Sequence, residues 1–155
     1  IDVALRITNR HPDTGIVIIS SYEDPVYVSA IMKGGEKRRA YILKSSLAEI
    51  SELIRVVEAV ANNQIVLDSR ITRRMIRHHN QQAGSPQGSI TATEEDVLQL
   101  LLEGREVAFI GETLGRQPGE IEAVAASAYA KLGVTGGNGG DRVPCAVQTL
   151  VNQAS

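Results

Sequence analysis

Residues 15–25 read Gly-Ile-Val-Ile-Ile-Ser-Ser-Tyr-Glu-Asp-Pro. The apolar part is short, continuous and rich in β-branched side chains, and polar residues close it. That predicts a buried strand over 15–21 rather than a helix. A strand apolar on both sides suits a parallel sheet with helices on both faces. Asp24-Pro25 supplies an N-cap and a first-turn proline, so a helix should follow over 26–32. Upstream, residues 2–10 carry the pattern of an amphipathic helix stopped by His11-Pro12. Downstream, Lys33-Gly34-Gly35 should end the helix, and Arg39-Ala-Tyr-Ile-Leu-Lys44 reads as a second short strand. Ser45 or Ser46 would cap a third helix, with Glu49 at capping-box spacing from Ser46. Its expected buried face is Leu47, Ile50, Leu53, Ile54, Val57 and Val60. Strands alternating with helices make this part α/β.

Residues 79–89 (HNQQAGSPQGS) are polar and free of Asp, Glu, Lys and Arg, a linker composition. Beyond them the chain reads as helical. Thr91 or Thr93 caps a helix running to Gly104. A second helix covers 107–114 and ends at Gly115. A third starts at Pro118, runs to Lys131 or Leu132 and ends at Gly133. Residues 134–141 (VTGGNGGD) read as a flexible turn, and a last helix covers about 143–152. Helix, short helix, tight turn and longer helix is the order of a helix-turn-helix unit.

The composition narrows the function classes. The chain has 155 residues, 43% apolar and 22% charged, as a globular protein should. No apolar run reaches membrane-spanning length, the N-terminus has no signal-peptide pattern, and the expected setting is cytoplasmic. One cysteine, Cys145, excludes an intrachain disulfide and an all-Cys zinc site within this chain, and it is expected as a buried small apolar residue. Aromatics are 3% with no Trp, which argues against stacking platforms for single-stranded nucleic acid. His78-His79 lacks companion ligands at metal spacing, and the glycine loops lack a following Gly-Lys-Ser/Thr. No nucleophile–base pair stands out, so an enzyme is not expected. The net charge of −2 hides a division: residues 1–87 carry +3 and residues 88–155 carry −5. The concentrated positive patch is Arg70 to Arg77 (RITRRMIR). It reads as a solvated helix face beside the linker, with nucleic-acid contact as the alternative.

These residues resemble a bacterial two-component response regulator of the NarL/LuxR type, in which a flavodoxin-like receiver domain precedes a LuxR-type helix-turn-helix domain. Residues 1–78 are similar to the C-terminal part of a receiver, from its third helix to its fifth, with residues 15–25 as its fourth strand and loop and Arg39 to Ser45 as its fifth strand. Residues 90–155 are similar to the four-helix DNA-binding domain. Ile90-Thr-Ala-Thr-Glu94 matches its opening, Leu101-Leu-Glu-Gly104 the end of its first helix, and Ala130-Lys-Leu-Gly-Val134 the end of its recognition helix.

The resemblance implies a transcriptional regulator that binds DNA as a homodimer and answers to a sensor histidine kinase. It makes Ser20, Tyr41 and Lys44 the receiver's switch residues. It points to Gln117, Gly119, Glu120, Glu122, Ala123, Ser127 and Lys131 for DNA contact, with Arg105 and Arg116 beside them. Val143, Ala146, Val147 and Leu150 would dimerise. It places the acid pair and the phosphoacceptor Asp before Ile1, leaving two of five strands, no catalytic residue and no cofactor here, Mg²⁺ being expected only with a complete receiver. Such a remnant should be poorly stable or should borrow a partner to cover its sheet edge. The recognition helix departs from the family pattern. Glu120 and Glu122 stand where neutral or basic side chains are usual, Val124 stands at the usual His, and Lys and Arg are absent from 117–130. The alternative is a degenerate regulator whose acidic helix-turn-helix domain binds another protein, for which the alanines Ala123, Ala125, Ala126 and Ala128 would suit close helix contact.

Overall fold

The computed structural model describes residues 2–32, 37–136 and 139–154. The first part contains α1 (Asp2–Arg10), β1 (Ile16–Ser20), α2 (Pro25–Met32), β2 (Arg39–Leu43), α3 (Ile50–Ala61), β3 (Ile65–Leu67) and α4 (Ser69–Gln82). The second contains α5 (Ala92–Leu102), α6 (Val107–Leu114), α7 (Pro118–Lys131) and α8 (Gly139–Ala154). The fold is helix-rich around a small parallel sheet of order β1-β2-β3. The Lys33-Gly34-Gly35 stop lies outside the described residues.

β2 is the central strand, and it is buried along its whole length. Its side chains alternate between faces, as the strand repeat of two requires. Ala40 and Ile42 join Val66, Val56, Ala59 and Val60 under α3. Tyr41 and Leu43 join Leu67, Val28, Ile71 and Met75 under α2 and α4. β1 forms one edge and stays partly exposed, with Ile19 40% accessible.

Several expectations need correction. The described residues hold three strands, not two. Ile65–Leu67 is too short for a period to show, and it pairs only because β2 offers a free edge. Asn63 turns the chain into it at φ 65°, a left-handed geometry that Asn tolerates. The third helix does not start at Ser46: Lys44–Ser46 is a 3₁₀ turn, and α3 begins at Ile50. Its buried face is Val56, Ala59 and Val60, while Ile50, Ile54 and Val57 are 78%, 52% and 49% exposed. The narrow sheet covers one stripe of the helix, which leaves the rest of its apolar surface outside. α4 runs through Gln82, so four residues of the expected linker are helical. Cys145 is exposed, because α8 turns Ala146, Val147, Leu150 and Val151 inward instead.

The two parts share one core. Ile31, Leu67, Ile71, Met75 and Ile76 belong to the same buried cluster as Val97, Leu98, Leu102, Val147 and Leu150. The chain between α4 and α5 is fastened to α4. Asn80 donates to the Ile90 carbonyl at 3.0 Å and accepts from its N–H at 2.7 Å. His79, buried in α4, bonds the Gly88 carbonyl at 3.1 Å and Gln153 of α8 at 2.7 Å. Arg105 reaches back to Glu52 of α3 at 3.2 Å.

Candidate nucleic-acid interface

α5, α6 and α7 form the frame on which a nucleic-acid surface could be built. Thr91 caps α5 in a reciprocal box. Its hydroxyl accepts from the Glu94 N–H at 3.3 Å, and its own N–H donates to the Glu94 carboxylate at 2.8 Å. α6 ends at Gly115 with φ 65°, which glycine adopts without a Cβ clash. The Arg116 N–H then donates to the Gly111 carbonyl at 2.9 Å. A Cβ on Gly111 would stand 2.7 Å from the Arg116 carbonyl oxygen, so the turn closes onto a position without a side chain. Pro118 opens α7, and the Glu120 carboxylate accepts from the Gln117 N–H at 2.9 Å. Ile121, Ala125, Ala128 and Tyr129 face inward. Gly119, Glu120, Glu122, Ala123, Ala126 and Ala130 are exposed.

The basic candidates fare unequally. Lys131 is turned inward onto Glu94 at 2.7 Å and onto the Ser89 carbonyl at 3.0 Å. Ser127 donates to the other Glu94 oxygen at 2.6 Å. Burial pushes the Glu94 carboxyl up, but the donors Lys131, Ser127 and Thr91 outweigh it and bring its pKa down from 4.5 to about 2. Lys131 and Ser127 therefore hold α7 to α5. Arg105 is paired with Glu52 and Glu103 and lies over the Phe109 ring at 4.9 Å. Arg116, at the turn, is exposed. Ala146, Val147 and Leu150 lie in the core between α8 and α2, α4 and α5, with Val143 half-buried beside them. Of the alanine row, Ala125 and Ala128 are core and Ala123 and Ala126 are outside.

A second region lies at the C-terminal edge of the sheet. Ser20 ends β1 opposite Leu43, and its hydroxyl accepts from the Tyr22 N–H at 3.1 Å. Tyr41 is buried and donates to the Tyr22 carbonyl at 2.9 Å. Ser20 and Tyr41 line a common cavity of about 340 Å³ with Ile18, Ile19, Tyr27 and Asp2. Lys44 lies one residue beyond β2 in the 3₁₀ turn, exposed and outside that lining. Sequence reasoning passed over Asp68. It is buried at the end of β3, accepts from the Leu43 N–H at 3.1 Å and from the Arg70 N–H at 3.0 Å, and so ties β2 to the start of α4. Asp at a helix start was the available signal, but nothing local announced the strand before it. Among the described residues no group of three or more His, Cys, Asp or Glu is placed to hold a metal.

A third region is basic. A groove of about 530 Å³ runs along α4, lined by Arg70, Arg73, Arg74, Arg77 and His78 with Glu23.

No family model matches the chain. Among curated proteins it is similar to the transcriptional regulatory protein MctR of Rhizobium johnstonii, at 27% identity over 87% of this chain and 60% of that one. It is similar to the transcriptional regulatory protein DegU of Brevibacillus brevis at 24% identity over 98% and 68%. The transcriptional regulatory protein LiaR of Bacillus subtilis is 28% identical over 74% and 53%. The chain thus spans about three fifths of the length of such relatives. A solved structure of the RcsB response regulator of Salmonella typhimurium is 22% identical over 86% of this chain and 61% of that one, with a TM-score of 0.39.

Proposed function

Starting from the premise that the chain's relatives are NarL/LuxR-type response regulators, we propose that this chain is the DNA-binding part of a transcriptional response regulator joined to the end of a receiver domain. The observation that carries this reading is the α6–α7 corner. A left-handed Gly115, a Gly111 with no room for a Cβ and a capped, outward-facing start of α7 support a helix-turn-helix reading of this corner. Ser20 and Tyr41 on one cavity at the sheet's C-terminal edge support the receiver assignment, while Lys44 lies outside that cavity, in the 3₁₀ turn that follows β2. The regulator works as a homodimer, and its input comes from a sensor histidine kinase. The phosphoacceptor Asp and its Mg²⁺ belong to receiver segments other than residues 1–78. The protein acts on DNA rather than as an enzyme. Among the described residues no helix is long and apolar enough to cross a membrane, in keeping with a cytoplasmic regulator.

The test is a salt titration of the whole chain on mixed-sequence duplex DNA. Binding that weakens steeply as salt rises is the expected result, because phosphate contacts release counterions. No binding at about 50 mM salt would overturn the reading.

A second reading has its own observation. The exposed face of α7 offers Glu120, Glu122 and alanines, and Lys131 is held inward. That face suits a basic or small-residue protein surface. Capture of such a partner, abolished by Glu122→Lys, together with no DNA binding, would select it.

A further inference from the structure

The geometry points to α4, outside the helix-turn-helix, as a phosphate-contact surface for duplex DNA, carried by Arg70, Arg73, Arg74 and Arg77. This rests on the DNA-binding reading and says where its positive charge comes from.

The need is electrostatic. Affinity for a duplex comes largely from cations on phosphates. Residues 88–155 carry −5, Lys131 is bound to Glu94, and Arg105 is enclosed by Glu52, Glu103 and Phe109. α4 supplies what that part lacks. Its four arginines fall at i, i+3, i+4 and i+7, so they share one helix face. At 1.5 Å per residue the row is about 10 Å long. Phosphates follow one another every 3.4 Å or so along one strand of the duplex axis, so the row matches about three of them.

Two of the four are uncommitted. Arg74 and Arg77 are exposed, and among the described residues neither has a hydrogen-bond or ion-pair partner. The other two are engaged: Arg70 pairs with exposed Glu23 at 3.6 Å and donates to the Ser45 hydroxyl at 2.9 Å, and Arg73 pairs with half-buried Glu95 at 3.5 Å and donates to the buried Gln99 side chain at 3.2 Å. An exposed pair such as Arg70–Glu23 contributes little to stability, so Arg74 and Arg77 are the first phosphate contacts and Arg70 can join them. The opposite side of α4 is fixed by Ile71, Met75, Ile76 and His79 in the core. The row is therefore presented on a rigid element and cannot turn away. Glu95 of α5 meets this row, while its neighbour Glu94 meets α7. Successive helix residues point about 100° apart, so the arginine row and the outward face of α7 are separate surfaces on either side of α5.

The test uses the whole chain, a mixed-sequence duplex of about 20 base pairs and fluorescence anisotropy between about 50 and 200 mM salt. Arg74→Gln with Arg77→Gln is compared with Arg116→Gln at the α6–α7 turn and with the unaltered chain. All three side chains are exposed, and circular dichroism checks that each variant folds. The expected result for the α4 double variant is binding weaker by about tenfold at low salt, for any duplex sequence. Its slope of log affinity against log salt should be shallower by about 1.8, since each lost phosphate contact removes about 0.9. If the α4 variant binds like the unaltered chain while Arg116→Gln loses binding, the DNA reading stands and this inference falls. If the unaltered chain does not bind duplex, both fall. Binding of inorganic tripolyphosphate without duplex binding makes the groove a small-anion pocket and likewise overturns the inference.

Discussion

Glu94 holds three donors on its carboxylate, from Thr91, Ser127 and Lys131, and it is 5% exposed. Its charge is thus part of the fold. With a folded pKa of about 2 against 4.5 ordinarily, the stabilisation is complete above about pH 4.5 and is lost as pH falls toward 2. A shift of that size corresponds to about 3 kcal/mol. Glu94→Gln should therefore lower stability at pH 7 by about that much, since it also leaves Lys131 half-buried without its anion. Urea denaturation across pH 2 to 7 checks this: the gap between the two proteins should close as pH falls, and a gap independent of pH would refute the assignment. Sequence reading reached Glu94 only within the Ile90-Thr-Ala-Thr-Glu94 match, and the reciprocal box with Thr91 came from the structure. Its second role, as anchor for Lys131 and Ser127, depends on residues 37 and 33 positions away, which no local pattern reveals.

At the scale of elements, the α6–α7 corner and α3 behave oppositely. The corner was readable, because Gly115 and Pro118 are local signals. Its tightness was not, because the clash at Gly111 involves the Arg116 carbonyl across the turn. Gly111→Ala should cost about 1–3 kcal/mol by forcing the turn open. Gly119→Ala, in the exposed first turn of α7 with nothing within 4 Å, should be neutral or stabilise by up to about 1 kcal/mol. Thermal denaturation of the two variants compares them directly, and equal losses would mean that Gly111 is not a packing constraint. α3 reverses the expectation of its sequence. Of the stripe that periodicity marked as buried, only Val60 is buried, because a helix with apolar residues on more than one face does not say which face meets the sheet. The width of the sheet chose Val56, Ala59 and Val60.

At the scale of the molecule, α4 joins the two parts. Its inner face enters a core shared by the sheet and by α5 and α8, so the protein should unfold as one cooperative unit. Met75, with no exposed surface, tests this. Met75→Ala should cost about 2–5 kcal/mol and should lower amide-exchange protection in β2 and in α8 together. Loss confined to one part would mean two independently stable bodies. The same shared core bears on dimerisation. Ala146, Val147 and Leu150 are already buried within the chain, so a dimer through α8 would have to use its outer residues or first release the helix from α2 and α4.

The features written in neighbouring residues were legible in the sequence: the two longer strands, the cap at Asp24, a threonine cap for α5 (with Thr91 and Thr93 both open), the glycine stops at Gly104, Gly115 and Gly133, the helical order of the second part and its acidic balance. Capping, turn chemistry and the 2.0 and 3.6 periods act within a few residues, so they can be read there. Packing across the chain set the third strand, the choice of Thr91 as the α5 cap, the buried face of α3, the inward turn of Lys131 and the continuation of α4 into the expected linker. Each of these is fixed by a partner far along the chain. β3 needs the free edge of β2, Lys131 needs Glu94, and Asn80 and His79 hold the 83–90 segment against α4 and α8. Long-range burial and pairing, not local propensity, set these features.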